Sequence, residues 1–122
     1  MVDSAAAAGT DCLFCRIVAG QVPADVVRDS ARTVAFRDIA PAAPTHVLVV
    51  TREHYPDMAQ LAAADPELAG ALLADAAEVA RAEQLDTHGY RVVLNTGAGA
   101  GQTVFHVHAH VLGGRNFSWP PG

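Results

Sequence analysis

The amino-acid sequence predicts an α+β fold: a five-stranded antiparallel sheet with one long helix and one or two short ones. Three observations lead there. Five short β-prone runs are joined mostly by turn-forming segments. One alanine-rich stretch carries a helix start signal and a helical apolar stripe. The last β-prone run, His106-Val-His-Ala-His-Val-Leu112, alternates strictly between imidazole and apolar side chains, which is the two-residue period of a strand.

Taken in order, residues 1–10 contain little that can anchor the chain and are expected to be a flexible N-terminal segment. Residues 11–122 are expected to form a single domain. Residues 12–19 have apolar groups at helical spacing, with Asp11 as expected N-cap and Gly20 as stop. Val26–Arg28 and Thr33–Arg37 read as strands around the turn 29–32. The segment Asp38–His46 holds two prolines and reads as an ordered loop. Val47–Thr51 is the expected central strand. A short helix is expected near 57–63. Asp65-Pro66-Glu67 then places an N-cap, a first-turn proline and an acidic group at the positive end of a helix dipole. Leu68, Leu72, Ala76, Val79 and Ala80 share one face of that helix, which is expected to run to about Leu85. Tyr90–Asn95 reads as a strand. The glycine-rich loop Gly97–Thr103 leads into the histidine strand, expected over 106–112.

Composition narrows the chemistry. The chain has 122 residues, is 51% hydrophobic and carries a formal charge of −5. Its eight basic residues are all arginine. An acidic chain without a basic cluster is a poor nucleic-acid tracker. The absence of lysine excludes a P-loop lysine and Schiff-base catalysis. No stretch reads as a membrane span or a signal peptide, so a cytoplasmic location is expected.

Three histidines in strand register share one face, about 7 Å apart from neighbour to neighbour at ~3.4 Å of rise per residue. Imidazole in such a row serves metal ligation, proton transfer or nucleophilic attack. Joint ligation of one ion by all three is awkward, because the outer pair would lie about 14 Å apart. The glycine loop offers backbone N–H groups to an anion. With Gln102, Thr103 and the three histidines beside it, phosphate is the favoured ligand, and Asn95 just upstream is placed to donate to it or to orient an imidazole. An imidazole next to a phosphate cradle can attack phosphorus, and the middle histidine, with a neighbour on each side, is the natural nucleophile. Cys12-Leu-Phe-Cys15 is half of a zinc site, a redox pair or two partly buried thiols.

The run His106-Val-His108-Ala-His110-Val-Leu112 resembles the signature of the histidine triad (HIT) superfamily. Phe36-Arg-Asp38-Ile39 through His46 resembles that family's nucleoside-binding loop, and Gly101-Gln102-Thr103-Val104-Phe105 its phosphate loop. The ending Leu112–Gly122, with Trp119-Pro-Pro-Gly, is similar to that of the Hint branch. This resemblance covers the chain from Cys12 to Gly122. It implies a HIT-like fold and a purine nucleoside phosphoramidase that cleaves the P–N bond of adenosine 5′-phosphoramidates and releases AMP. On it, His108 would be the nucleophile, and His110 would lie near the phosphate and leaving group. His46 and His106 would complete the cluster and hold the nucleophile's tautomer. Asp38 would bind the ribose, Ile39 would pack on the base, and Asn95, Gly101, Gln102 and Thr103 would form the phosphate site. A homodimer with one continuous sheet is implied, the Trp119 tail reaching toward the partner's site. Cys12, Cys15, His54 and His106 match a structural zinc site that the chemistry itself does not need. A dinucleoside polyphosphate hydrolase and a non-catalytic nucleotide-binding regulator are the rival readings.

Overall fold

In a computed structural model, residues 11–122 are described; the expectation for residues 1–10 lies outside them. The elements run α1 (Leu13–Val18), β1 (Val26–Asp29), β2 (Thr33–Arg37), β3 (Thr45–Thr51), α2 (Met58–Ala64), α3 (Pro66–Ala82), β4 (Tyr90–Val93) and β5 (His108–Gly113), with a 3₁₀ turn at Ala98–Ala100. The five strands form one sheet in the order β1-β2-β3-β5-β4, and every pairing is antiparallel. The predicted α+β class is therefore what the chain adopts.

Alternation along the strands divides the sheet into two chemically different faces. Ala35, Val47, Val49, Ala109 and Val111 point to one face and pack against Leu68, Leu72, Ala76, Val79 and Ala80 of α3. The helical stripe read from the sequence is thus the stripe that is buried. Fully burying a leucine such as Leu68 or Leu72 is worth ~1.5–3 kcal/mol, so this face carries much of the stability. On the other face Val34, Phe36, Leu48 and Val50 pack with Phe14 of α1. Cross-strand register places His108 opposite Val50 and His110 opposite Leu48, so both imidazoles emerge on this second face.

Helix starts follow their caps. Asp65 accepts from the Leu68 N–H at 3.0 Å, with Pro66 and Glu67 in the first turn as expected. Asp57 likewise caps α2 through Gln60 N–H. The cap of α1 is different from the expected Asp11: Cys12 occupies that position, its Sγ accepting from Cys15 N–H at 3.3 Å. The helix thereby begins on a residue whose sulfur also faces the histidine cluster.

Several strand and helix limits also differ from expectation. α3 stops at Ala82, because Gln84 takes a left-handed backbone (φ 62°) and Leu85 N–H turns back to Ala80 O. β4 ends at Val93, which leaves Asn95 beyond the ladder. β3 starts at Thr45, so His46 belongs to the strand and not to the loop before it. Gly113 closes β5 where a Cβ would meet the Leu85 side chain at 2.6 Å, so only glycine permits that approach. No helix among the described residues is long and apolar enough to cross a membrane.

Candidate active site

The histidine face opens into a cleft of about 390 Å³ walled by Phe14, Phe36, Asp38, Ile39, Thr103, His108 and His110, among others. Its far wall is apolar and its floor carries the imidazoles. Ile39 stands fully exposed at the lip. The Asp38 carboxylate is oriented by Ala40 N–H, which donates to Oδ1 at 2.9 Å. Asp38 Oδ2 lies 3.4 Å from His46 Nε2.

Each histidine has its tautomer set by a neighbour of defined polarity. A carbonyl only accepts, so the 2.7 Å contact from His108 Nδ1 to His106 O is an N–H donation, and Nε2 keeps its lone pair. A backbone N–H only donates, so His46 Nδ1 accepts from Ala42 N–H at 3.0 Å. The proton of neutral His46 is then on Nε2, which lies 2.9 Å from His110 Nδ1. His110 in turn carries its proton on Nε2. One imidazole thus offers a bare nitrogen and its neighbour an N–H, with ring centroids 4.9 Å apart.

Burial keeps these rings neutral. It lowers the pKa of His108, against the opposing pull of its bond to the His106 carbonyl and of the Asp38 charge. Burial lowers His46 too, with Asp38 opposing. His110 falls from 6.5 to about 4, first by burial and then by the neighbouring His108 and His46. Neutral imidazole at physiological pH is the form that attacks an electrophile.

His106 departs from the expected row. The strand begins at His108, and His106 lies just before it, fully buried, with its ring turned toward α1. All three imidazoles stay on the α1 side, the Phe14 ring meeting both His106 and His108, but His106 lies ahead of the paired strand. His106 Nε2–H donates to Thr51 O at 2.7 Å, which leaves Nδ1 unprotonated. That atom lies 3.2 Å from Cys12 Sγ, 3.4 Å from Cys15 Sγ and 3.2 Å from His54 Nδ1. Cys15 Sγ is also 3.4 Å from His54 Nδ1. All four donor atoms lie within 4.8 Å of one another. A tetrahedral zinc ion with bonds of ~2.0–2.3 Å would place its donors about 3.3–3.8 Å apart. The donor set and the four close separations are thus near what such an ion needs. Burial, and then Cys12, push the Cys15 thiol up to about 12, while burial lowers His106 to about 4.

The glycine loop is held from inside. Gly101 takes a left-handed φ of 94°, a conformation natural to glycine. Gln102 is 3% exposed. Its Nε2 donates to Pro56 O and Val104 O, and its Oε1 accepts from Gly97 N–H. Every polar atom of that side chain is therefore engaged within the protein. Thr103 lines the cleft; Asn95, Gly101 and Trp119 do not. Trp119 is 83% exposed on a tail pinned by Arg91, which donates to Ser118 O. His88, to which no function was assigned, lies at the surface 3.0 Å from Asn116 Oδ1.

Three contributors escaped sequence reasoning. Phe14 stacks edge-to-face on His108 with centroids 5.0 Å apart, yet in sequence it is one more apolar residue at helical spacing. The Thr51 carbonyl and the Ala42 N–H act through backbone atoms, which no side-chain pattern announces.

An α+β sheet thus presents a neutral imidazole with a free nitrogen, and an N–H donor beside it, to one cleft. The profile of the HIT domain family matches residues 19–117, and the chain belongs to that family. It is 44% identical over 112 residues to an uncharacterized HIT-like protein of Synechococcus elongatus, covering 92% of this chain and 97% of that one. It is 40% identical over 103 residues to protein HitA of Neisseria gonorrhoeae, covering 84% and 95% respectively. Among solved structures, a HIT family hydrolase from Legionella pneumophila superposes with a TM-score of 0.88 at 46% identity, over 92% of this chain and all of that one. A histidine triad nucleotide-binding protein from Candida albicans superposes at 0.78 with 29% identity, over 90% of this chain and 83% of that one.

Proposed function

We propose that this protein is a purine nucleoside phosphoramidase that works through a nucleotidyl-histidine intermediate. The observation that carries the proposal is the His108 ring, its Nδ1–H held by the His106 carbonyl and its Nε2 lone pair free beside a nucleotide-sized cleft. The apolar wall of Phe14, Phe36 and Ile39 suits a purine, and Asp38 suits the ribose hydroxyls. Thr103, Gly101 and Asn95 would approach the phosphate, with Gln102 shaping their loop from within.

His108 Nε2 attacks the α-phosphorus and forms a P–N bond as the bond to the substrate amine breaks. His110 Nε2–H donates to the phosphate. Because His110 Nδ1 is already taken by the His46 N–H, the departing amine takes its proton from solvent. Water then attacks phosphorus and gives up its proton to solvent, the P–N bond to His108 Nε2 breaks with its electron pair returning to that nitrogen, and AMP is released. His46 orients His110 throughout.

Cys12, Cys15, His54 and His106 would hold a structural zinc ion that braces α1 against the start of β5, with no coordination position open for catalysis. A homodimer joined along a sheet edge would bring the exposed Trp119 tail toward the partner's cleft. A cytoplasmic location suits a free Cys-x-x-Cys pair.

The test is mass spectrometry of the protein mixed with an alkyl adenosine phosphoramidate. AMP attached to His108 is expected, and His108→Ala should form no adduct and release no AMP. Undiminished turnover in that variant would refute the proposal. Faster hydrolysis of diadenosine triphosphate than of the phosphoramidate would assign the site to dinucleoside polyphosphates instead.

A further inference from the structure

We propose that the Cys12–Cys15–His54–His106 cluster, once it holds its ion, positions the His108 imidazole through two contacts, the His106 carbonyl and the Phe14 ring. The inference rests on the nucleotidyl-transfer reading and adds a coupling between the two sites. Phe14 is a positioning residue on this view, and the cluster is more than a brace for the fold.

The first contact is the peptide joining His106 to Val107. Its carbonyl accepts from His108 Nδ1–H at 2.7 Å. This peptide lies before β5, whose pairing with β3 begins at His108. Two anchors hold it there. One is the His106 side chain, tied to Thr51 O by Nε2 and to the cluster by Nδ1. The other is the bond from Val107 N–H to Tyr55 O at 2.7 Å, and Tyr55 directly follows His54. Both anchors therefore belong to, or adjoin, cluster residues. If the four donors separate, the carbonyl that sets the His108 tautomer is held only by the Thr51 and Tyr55 bonds and gains freedom to rotate.

The second contact is Phe14. It lies between Cys12 and Cys15 on a helix of only six residues. Its ring meets His108 perpendicularly at 5.0 Å, and it also touches Phe36 at 5.4 Å and His106 at 6.0 Å. A helix this short has little stability of its own. Its two cysteines, gathered on one ion, would fix the helix and with it the ring that limits rotation of His108. Cys12 and His54 also border a second cavity of about 340 Å³, so a small chelator has a route to the cluster.

The test uses the full chain with ¹⁵N-labelled histidine. Proton–nitrogen NMR reads the His108 tautomer, mass spectrometry times adduct formation, and calorimetry measures AMP binding. In zinc-loaded protein a single Nδ1–H tautomer of His108 is expected. In chelator-stripped protein, and in Cys15→Ser, a tautomer mixture is expected. Adduct formation there should slow about 10- to 100-fold, the usual loss when an orienting partner is removed, with little change in AMP affinity. Phe14→Leu should keep its zinc and still slow adduct formation more than it weakens AMP binding. A folded, stripped protein that retains one tautomer and the full rate overturns the proposal. Should stripping unfold the chain, Phe14→Leu decides: full zinc content with a wild-type rate, or a loss confined to AMP affinity, overturns it. Failure of loaded wild-type protein to form any adduct would refute the nucleotidyl-transfer reading alone, because the tautomer measurement still decides the coupling.

Discussion

Replacing Gln102 with methionine should weaken the protein and the proposed phosphate site together. Methionine keeps the length and volume of the side chain but supplies none of its three hydrogen bonds. Gly97 N–H, Pro56 O and Val104 O, at 2.8, 2.7 and 3.1 Å from the glutamine amide, each lose a partner. At ~0.5–1.5 kcal/mol per neutral bond the three sum to about 1.5–4.5 kcal/mol. All three partner residues are half-buried, so water can reach some of them. A loss near 2 kcal/mol is therefore expected, or roughly 6–10 °C in Tm for a domain of this size. Urea unfolding should show a lower midpoint with an unchanged slope. Because Gln102 ties both ends of the glycine loop, AMP affinity should fall while affinity for adenosine, which has no phosphate, holds. A stability change under ~0.5 kcal/mol, or a parallel fall in adenosine affinity, would refute the reasoning.

Acid should destabilise the fold through the buried histidines. His110 titrates near 4 when folded, against 6.5 for the free side chain, so the unfolded chain binds its proton first. Its contribution is full above pH 6.5 and is lost as pH falls toward about 4; a His110→Asn variant should show a shallower loss in urea titrations across that range, and an equally steep one would contradict the assignment. On the proposed zinc site, chelation should lower the thermal midpoint and make Cys12 and Cys15 reactive to a thiol reagent. Zinc retained at full stoichiometry in Cys12→Ser would disprove the four-residue site. Gly113→Ala pushes a Cβ to 2.6 Å from the Leu85 side chain and should cost ~1–3 kcal/mol, as overpacking does. The cost should shrink when measured in a Leu85→Ala background; additivity of the two changes would show that the contact does not matter.

Much of the fold was legible because its signals are local. Asp65-Pro66-Glu67 announced α3 by capping chemistry, and the apolar positions of that helix announced the face it buries. The α+β class followed from strand-like runs and short connections. Element limits were less legible because they depend on partners. Whether residue 94 or 106 counts as strand is decided by where β5 finds a neighbour, and nothing in Leu94 or His106 encodes that. The Asp11 cap failed for a related reason: Cys12 sits where its sulfur can cap α1 and face His106 as well.

The chemistry divides in the same way. By itself the sequence determined which groups are available: a histidine-rich run, a glycine loop, a cysteine pair, no lysine, and a resemblance that orders them. Side-chain types and two-residue spacing are properties of the chain and need no partner. Only the tertiary structure decided what each histidine is. His106 turns to the cysteines, His108 donates to a carbonyl and keeps a free nitrogen, and His110 accepts from His46, 64 residues away. Identical imidazoles become different reagents only when a specific donor or acceptor claims one of their two nitrogens, and those claims come from Thr51, from the His106 backbone and, through His46, from Ala42. Most are backbone groups, whose polarity is the same in every residue and whose direction exists only in the folded protein.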